Sequence, residues 1–462
     1  MGSEAKAGHV LVLPFPSQGH INPLLQFSKR LVSKGVRVTL ASATSHLNSM
    51  QWQVSYTNFD VEPVFDGVDN GGSETIDEYI ERFNANIPRS LAELIDKFSR
   101  TADPIKCVVY DSALAWVLDV ARSSGVAGCP FFTQPFAVNA LYYHYLQGVL
   151  KFPLEETAVS LPAMPALEFK DLPSLIYERT SHPAICNLIL SQFSNIQDVF
   201  YIFCNTFSEL EHELEVWMAS KWPIKPVGPA IPSMFLDKRL DGDRNYGVSF
   251  FKPSTDTCLK WLDSKDPKSV VYISFGSMAA LGEDQMAEMA WGVKASNFNF
   301  IWVVRESELK KLPTNFSEQT SDKGLVVTWS PQLEVLAHDS VGCFITHCGW
   351  NSTLEALSLG VPMVAMPVWT DQPTNAKYVT DVWQVGVRVK ANEKGTVTKE
   401  EIERCIREVM EGDRSSEIRK SSDKWKKLAI EAADEGGSSD KNVEEFVAKL
   451  KAFPSLSKKS AA

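Results

Sequence analysis

Apolar and polar positions along this chain follow two alternating patterns: short continuous apolar runs, and longer stretches with helical spacing. Residues 9–14 (HVLVLP) read as a buried strand. Beyond the turn PSQGHINP, Leu24, Leu25, Phe27, Leu31 and Val32 recur at helical spacing, with Asn22 as expected N-cap and Pro23 as first helical residue. Residues 36–41 supply a second strand, and residues 105–110 another that again leads into helix-like sequence. Such alternation predicts a parallel sheet covered on both faces. The pattern restarts at 270–275 (VVYISF), with strands expected near 300–304, 325–328, 341–346, 363–367 and 385–389.

Between the halves, residues 233–257 are polar (DKRLDGDRN and a Pro-Ser pair) and read as a linker. A short amphipathic helix over 442–453 follows the breaker Gly436-Gly437. The expected organisation is an N-terminal α/β domain over 1–235, a linker over 236–257, and a second α/β domain over 258–440. A C-terminal helix and tail over 441–462 is expected to pack back on the first domain. Both domains are doubly wound and face each other across a cleft.

Length agrees, since 462 residues exceed one ordinary core. The net charge of −11 argues against a nucleic-acid partner, because phosphate binding there needs a basic face. It leaves phosphate ligands open, since helix N-termini hold them through backbone N–H groups. No stretch approaches the roughly 18 apolar residues of a membrane span, and the first apolar run is too short for a secretory leader. Eight cysteines without paired spacing read as reduced, buried thiols. Of two glycosylation sequons, at Asn315 and Asn351, the second falls inside the richest motif, where a glycan would obstruct it. A cytoplasmic monomer is expected.

That motif runs from Trp329 to Gln372. Its turn HCGWNS puts His347, Gly349, Asn351 and Ser352 between a strand's carboxyl end and the next helix, where N–H groups and the dipole suit phosphate. Trp329 offers a flat face for a base, and Glu355, a helical turn on, can accept ribose hydroxyl protons. Asp371 and Gln372 follow another strand and can grip sugar hydroxyls. Residue by residue, plainer roles compete: Asn351 and Ser352 as helix caps, Trp329 as core. Cys343, Cys348, His338 and His347 lack metal-ligand spacing, and no metal is expected.

The stretch closely resembles the donor box of plant family-1 UDP-glycosyltransferases, from its first Trp to its last Gln, and the flanking sequence resembles that family over nearly the whole chain. The resemblance implies the two-domain Rossmann-like arrangement called GT-B, a UDP-sugar co-substrate and no permanently bound cofactor. It implies that Trp329 stacks on uracil and that Ser330 and Gln332 fix uracil and ribose, with Glu355 on the ribose hydroxyls. His347, Asn351, Ser352 and Ser277 hold the diphosphate, while Trp350, Asp371 and Gln372 position the sugar. A closing Gln372 is the family's habit in glucose users. Within the family the chain is most similar to the group acting on small acids, phenolics, steroids and triterpenoids.

His20, in the first strand–helix turn, and Asp111, at the end of VVYD, stand at strand carboxyl edges. Position alone leaves them open between a base with its orienting carboxylate and a turn histidine with a helix cap. The resemblance implies the former. An inverting transfer of glucose to a hydroxyl, giving a β-glucoside without a metal, is then expected. Thr133 is placed to touch the sugar's 6-hydroxyl. Phe15, Phe83, Phe136 and Tyr142, with Ile185, Leu188 and Trp369, are expected to line an apolar acceptor pocket. A lipophilic alcohol such as a steroid, triterpenoid or phenolic fits it. The rivals are an enzyme esterifying a small carboxylic acid with glucose, a UDP-sugar sensor that has lost transfer, and a nucleotide oxidoreductase, for which neither PFPSQGHINP nor ISFGSMAALG supplies G-x-G-x-x-G.

Overall fold

The computed structural model describes residues 7–47, 51–52, 56–68, 74–249 and 253–453, so the tail beyond 453 lies outside the described residues. The first half forms a seven-stranded parallel sheet. Its strands are β1 (His9–Leu13), β2 (Arg37–Ala43), β3 (Phe59–Val64), β4 (Ile105–Asp111), β5 (Ala127–Phe132), β6 (Ile202–Cys204) and β7 (Ile224–Pro226), in the order β7-β6-β5-β4-β1-β2-β3. The second half repeats the design with β8 (Val270–Ser274), β9 (Asn299–Val303), β10 (Gly324–Val327), β11 (Val341–Thr346), β12 (Met363–Ala365) and β13 (Gly386–Arg388), ordered β10-β9-β8-β11-β12-β13. In both sheets the winding reverses beside the first strand, at β1/β4 and at β8/β11.

The unbroken apolar strands are explained by burial of both faces. Leu11 and Leu13 of β1 pack with Phe83, Ile87 and Leu91 of helix α2 (Ile76–Ser99). Val10 and Val12 face the other way, onto Leu24, Leu25 and Phe27 of α1 (Gln18–Ser33). Helix α2 opens on a capping box: Glu78 N–H donates to Thr75 Oγ1 at 3.3 Å, and Thr75 N–H to Glu78 Oε2 at 2.7 Å. Further on lie α3 (Phe136–Leu146), α4 (Trp350–Leu359) and α5 (Ser438–Ala452). The last returns to the first sheet, burying Val443, Phe446, Val447 and Leu450 against the β1 side, with Phe446 edge-on to Phe203.

One expectation needs correction. Helix α1 begins at Gln18 with Ser17 as N-cap, so Asn22 and Pro23 sit inside it. Proline in that place removes the N–H that would reach the Gly19 carbonyl. The orphaned carbonyl instead accepts from Asn351 Nδ2 of the second half, at 2.6 Å, which makes the proline tolerable. The described part of the linker is tied down on the first half. Asp237 is gripped by Arg30, and Asp243 by Lys29 at 2.6 Å, both lysine and arginine lying on α1. Val248–Ser249 pairs antiparallel with Gln51–Trp52. Its polar composition serves ion pairs. All eight cysteines are free and buried, as expected of reduced thiols, and no helix among the described residues is long and apolar enough to cross a membrane.

Candidate active site

Open α/β sheets bind ligands outside the carboxyl ends of their strands, where the winding reverses. Here the two reversal points face each other, and a cavity of about 620 Å³ lies between them, lined from both halves.

The first half contributes His20 from the opening turn of α1 and Asp111 from the last position of β4. His20 Nδ1 lies 2.6 Å from Asp111 Oδ2, and Thr133 Oγ1 is 3.3 Å from the same nitrogen. Asp111 is buried and its other oxygen accepts the Ala113 N–H at 3.1 Å, so the carboxylate is fixed from both ends. With Nδ1 engaged, Nε2 is the nitrogen left for a ligand; the ring is 27% exposed. Burial alone would push the imidazole down, but the charge and hydrogen bond of Asp111, with Asp371 beyond, hold it above its ordinary 6.5.

The second half surrounds His347 with glycines. A Cβ on Gly276 would lie 2.8 Å from His347 Cε1, and one on Gly349 2.4 Å from its Nε2. Both residues must therefore lack side chains for the ring to sit there. Burial pushes His347 down to about 4, so it is a neutral hydrogen-bonding ring. Ser277 lies in the same loop, whose carbonyl at Ala279 is held by Arg305 Nη2 at 2.5 Å. Helix α4 is capped by Gly349, which places Asn351 and Ser352 in its first turn and not at the cap.

A hydrogen-bonded chain fills the deep end. Tyr272 Oη is 2.8 Å from Ser330 Oγ and donates to Gln332 Oε1 at 3.1 Å. Gln332 Nε2 reaches Ser352 Oγ at 2.8 Å and Glu355 Oε2 at 2.7 Å, while Tyr246 Oη donates to Glu355 Oε1 at 2.6 Å. Burial pushes Glu355 up, and these donors pull it back. Trp329 stands half-buried on the cavity wall. Asp371 is buried, accepting from Thr370 Oγ1 and Asn375 Nδ2, both at 2.7 Å. Gln372 Oε1 accepts the N–H groups of Val368 and Trp369 at 2.9 and 3.0 Å, which leaves its NH2 for a ligand.

Trp350 borders the cavity, with its indole buried beside Trp383 and its ring N–H donated to the Asn205 carbonyl at 2.6 Å. Three placements differ from expectation. Phe83, Phe136 and Tyr142 are core residues and do not line the cavity, whereas Phe15, Ile185, Leu188 and Trp369 do. Phe83 backs Phe15 from behind, at 6.0 Å between ring centres. Tyr79 and Ile80, one turn earlier on α2, line the cavity instead, with Leu175 and Ile189. The apolar face of α2 was readable, but not which of its turns reaches the opening. Tyr246 and Tyr272 were missed; an aromatic inside the polar run DGDRNYG was the available signal for the former.

Fold and site together define a two-domain α/β protein with a ligand cavity between the switch points of its two sheets. Residues 175–424 match the family model described as UDP-glucoronosyl and UDP-glucosyl transferase, and residues 7–64 match that of the glycosyltransferase N-terminal domain. The chain belongs to the plant UDP-glycosyltransferases of family 1, and uses a UDP-sugar as co-substrate. It is 52% identical over 446 residues to Mogroside I-E synthase of Siraitia grosvenorii, spanning 96% of this chain and 98% of that one. With UDP-glycosyltransferase 74E2 of Arabidopsis thaliana it shares 51% identity over 448 residues, 96% and 99% of the two chains. The structure of Os79 from O. sativa in complex with UDP superposes with a TM-score of 0.89 at 39% identity, covering 96% and 100% of the chains. The same protein in complex with U2F and trichothecene gives 0.86 at 39% identity, again over 96% and 100%.

Proposed function

We propose that this enzyme is an inverting O-glucosyltransferase that moves glucose from UDP-glucose to a hydroxyl of a small lipophilic plant metabolite, with His20 as general base and Asp111 as its partner. The carrying observation is the 2.6 Å contact of His20 Nδ1 with a buried carboxylate, at the mouth of a cavity whose other wall is the donor box. His20 Nε2 takes the acceptor proton as that oxygen attacks the anomeric carbon opposite UDP, and one displacement yields a β-glucoside. Asp111 holds the tautomer and balances the imidazolium.

On the donor side, Trp329 faces uracil, Ser330 and Gln332 fix uracil and ribose, and Glu355 takes the ribose hydroxyls. Ser277, neutral His347, Asn351, Ser352 and the first N–H groups of α4 take the diphosphate and stabilise its growing charge without a metal. Asp371, Gln372 and Thr133 hold the sugar. The acceptor end is bounded by Phe15, Tyr79, Ile80, Leu175, Leu188 and Trp369, apolar but for the Tyr79 hydroxyl and the Trp369 indole N–H. Among the described residues lining the cavity, Arg244 is the only Lys or Arg, and it belongs to the linker beside Tyr246, at the donor end. No lysine or arginine waits for an acceptor carboxylate, which favours a neutral steroid, triterpenoid or phenolic hydroxyl over a glucose ester. The trichothecene in the Os79 complex supports a small organic acceptor.

Incubation with UDP-glucose and a panel of lipophilic alcohols and small carboxylic acids, read by mass spectrometry and by the anomeric proton coupling in NMR, tests this. A β-linked O-glucoside is expected. An α-linked product, a glucose ester as main product, or no UDP release with any acceptor contradicts it.

A further inference from the structure

The linker does more than join the halves. Between Asp237 and Tyr246 it is tied to α1, the helix whose first turn holds His20. Arg30 grips Asp237, with Nη2 to Oδ1 at 2.7 Å. Lys29 Nζ meets Asp243 Oδ1 at 2.6 Å and the Asn245 carbonyl at 2.9 Å, and the Lys29–Asp243 pair is almost wholly buried. Gln26 Nε2 adds a bond to the Asn245 carbonyl at 3.3 Å. One residue beyond these anchors, the Tyr246 ring packs on a core cluster shared by the two halves and its hydroxyl reaches Glu355 Oε1 at 2.6 Å.

Glu355 thus receives one donor on each oxygen, Tyr246 from the linker and Gln332 from the donor box. Each carboxylate oxygen has a second lone pair, so both bonds leave room for ribose hydroxyls. Two donors on opposite oxygens fix the plane of the carboxylate and favour its charged form against burial.

We propose that Tyr246 is a positioning residue of the donor site, by which the linker, anchored on the His20 helix, orients Glu355 to receive the ribose hydroxyls of the UDP-sugar. This rests on the reading of Glu355 as the ribose-binding carboxylate. The linker then sets the donor site in register with the base: whatever fixes α1 also fixes the group that holds ribose.

The test is calorimetric titration of the full chain with UDP and with 2′,3′-dideoxy-UDP, for wild type, Tyr246→Phe and Glu355→Ala. Phenylalanine keeps the ring and removes only the hydroxyl. Comparing two ligands within one preparation cancels any loss of folded protein. Tyr246→Phe is expected to weaken UDP about tenfold, the scale of a hydrogen bond to a charged group, and to leave the dideoxy ligand within about twofold, since no ribose hydroxyl then meets Glu355. Unchanged UDP binding overturns the proposal, as does an equal loss for both ligands, which would mark ring packing alone. If Glu355→Ala abolishes the preference for UDP while Tyr246→Phe keeps it, the role of Tyr246 fails and that of Glu355 stands. If Glu355→Ala keeps the preference, the ribose reading fails and the role of Tyr246 falls with it.

Discussion

At His20, one ring nitrogen is held by a buried carboxylate and the other is left for the acceptor. The ring can accept a proton only when neutral, and its pKa is held above the ordinary 6.5, with Asp111 the main cause. Transfer should therefore fall as pH drops through that raised value. Asp111→Asn removes the charge that raises it, so the acid limb of the kcat/KM profile should move to lower pH. The plateau should drop about 10²-fold or more as the tautomer is lost. A limb that stays in place would show that another group titrates. His20 and Asp111 were legible because each adjoins an apolar strand end, but their pairing came from resemblance, since spacing could not show that β1 and β4 are neighbours. The direction of a ring was not legible at all: nothing in the sequence shows that the Trp350 indole N–H is spent on the Asn205 carbonyl.

Helix α4 and its preceding turn show what an element can demand of a sequence. The His347 ring stands between two glycines because no side chain fits on either side. Gly349→Ala would put a Cβ 2.4 Å from His347 Nε2 without straining the backbone, since φ there is −58°. Overpacking of that kind costs about 1–3 kcal/mol of stability, and the displaced ring loses its hydrogen bond to the diphosphate, so UDP affinity should fall about tenfold. Gly282→Ala, a helix cap with nothing within 4 Å of the added carbon, should leave it unchanged in the same titration. The strands expected from apolar runs lie within about two residues of their places, but β3, β6 and β7 of the first sheet were not foreseen, and the start of α1 was misplaced because Asn-Pro is a common helix opening. What decides the matter is a partner far away in sequence, Asn351, that accommodates the carbonyl Pro23 leaves free.

The two halves are clasped around the cavity. Asp171, fully buried, receives Arg388 Nη1 of β13 at 2.7 Å, and Ser174 and Thr370 exchange bonds of 2.9 and 2.8 Å beside the loop carrying Asp371. Arg388→Ala leaves Asp171 with Lys377 at 3.8 Å, so the thermal midpoint should drop by about 2–5 °C while the donor residues stay in place. A midpoint within error of wild type would show that the pair contributes nothing. This scale was the least legible in sequence, because domain contacts are made by polar residues without periodicity. The linker is the example: its polar run marks a linker, and nothing in it shows that Asp237 and Asp243 bind α1. At the same scale, the assignment of His20 as base separates binding from chemistry, and one measurement tests it most directly. His20→Ala, assayed at saturating UDP-glucose and acceptor beside a UDP titration, should lose about 10²–10⁴-fold in kcat with UDP affinity within twofold of wild type. Transfer at near wild-type rate with UDP binding intact would contradict it.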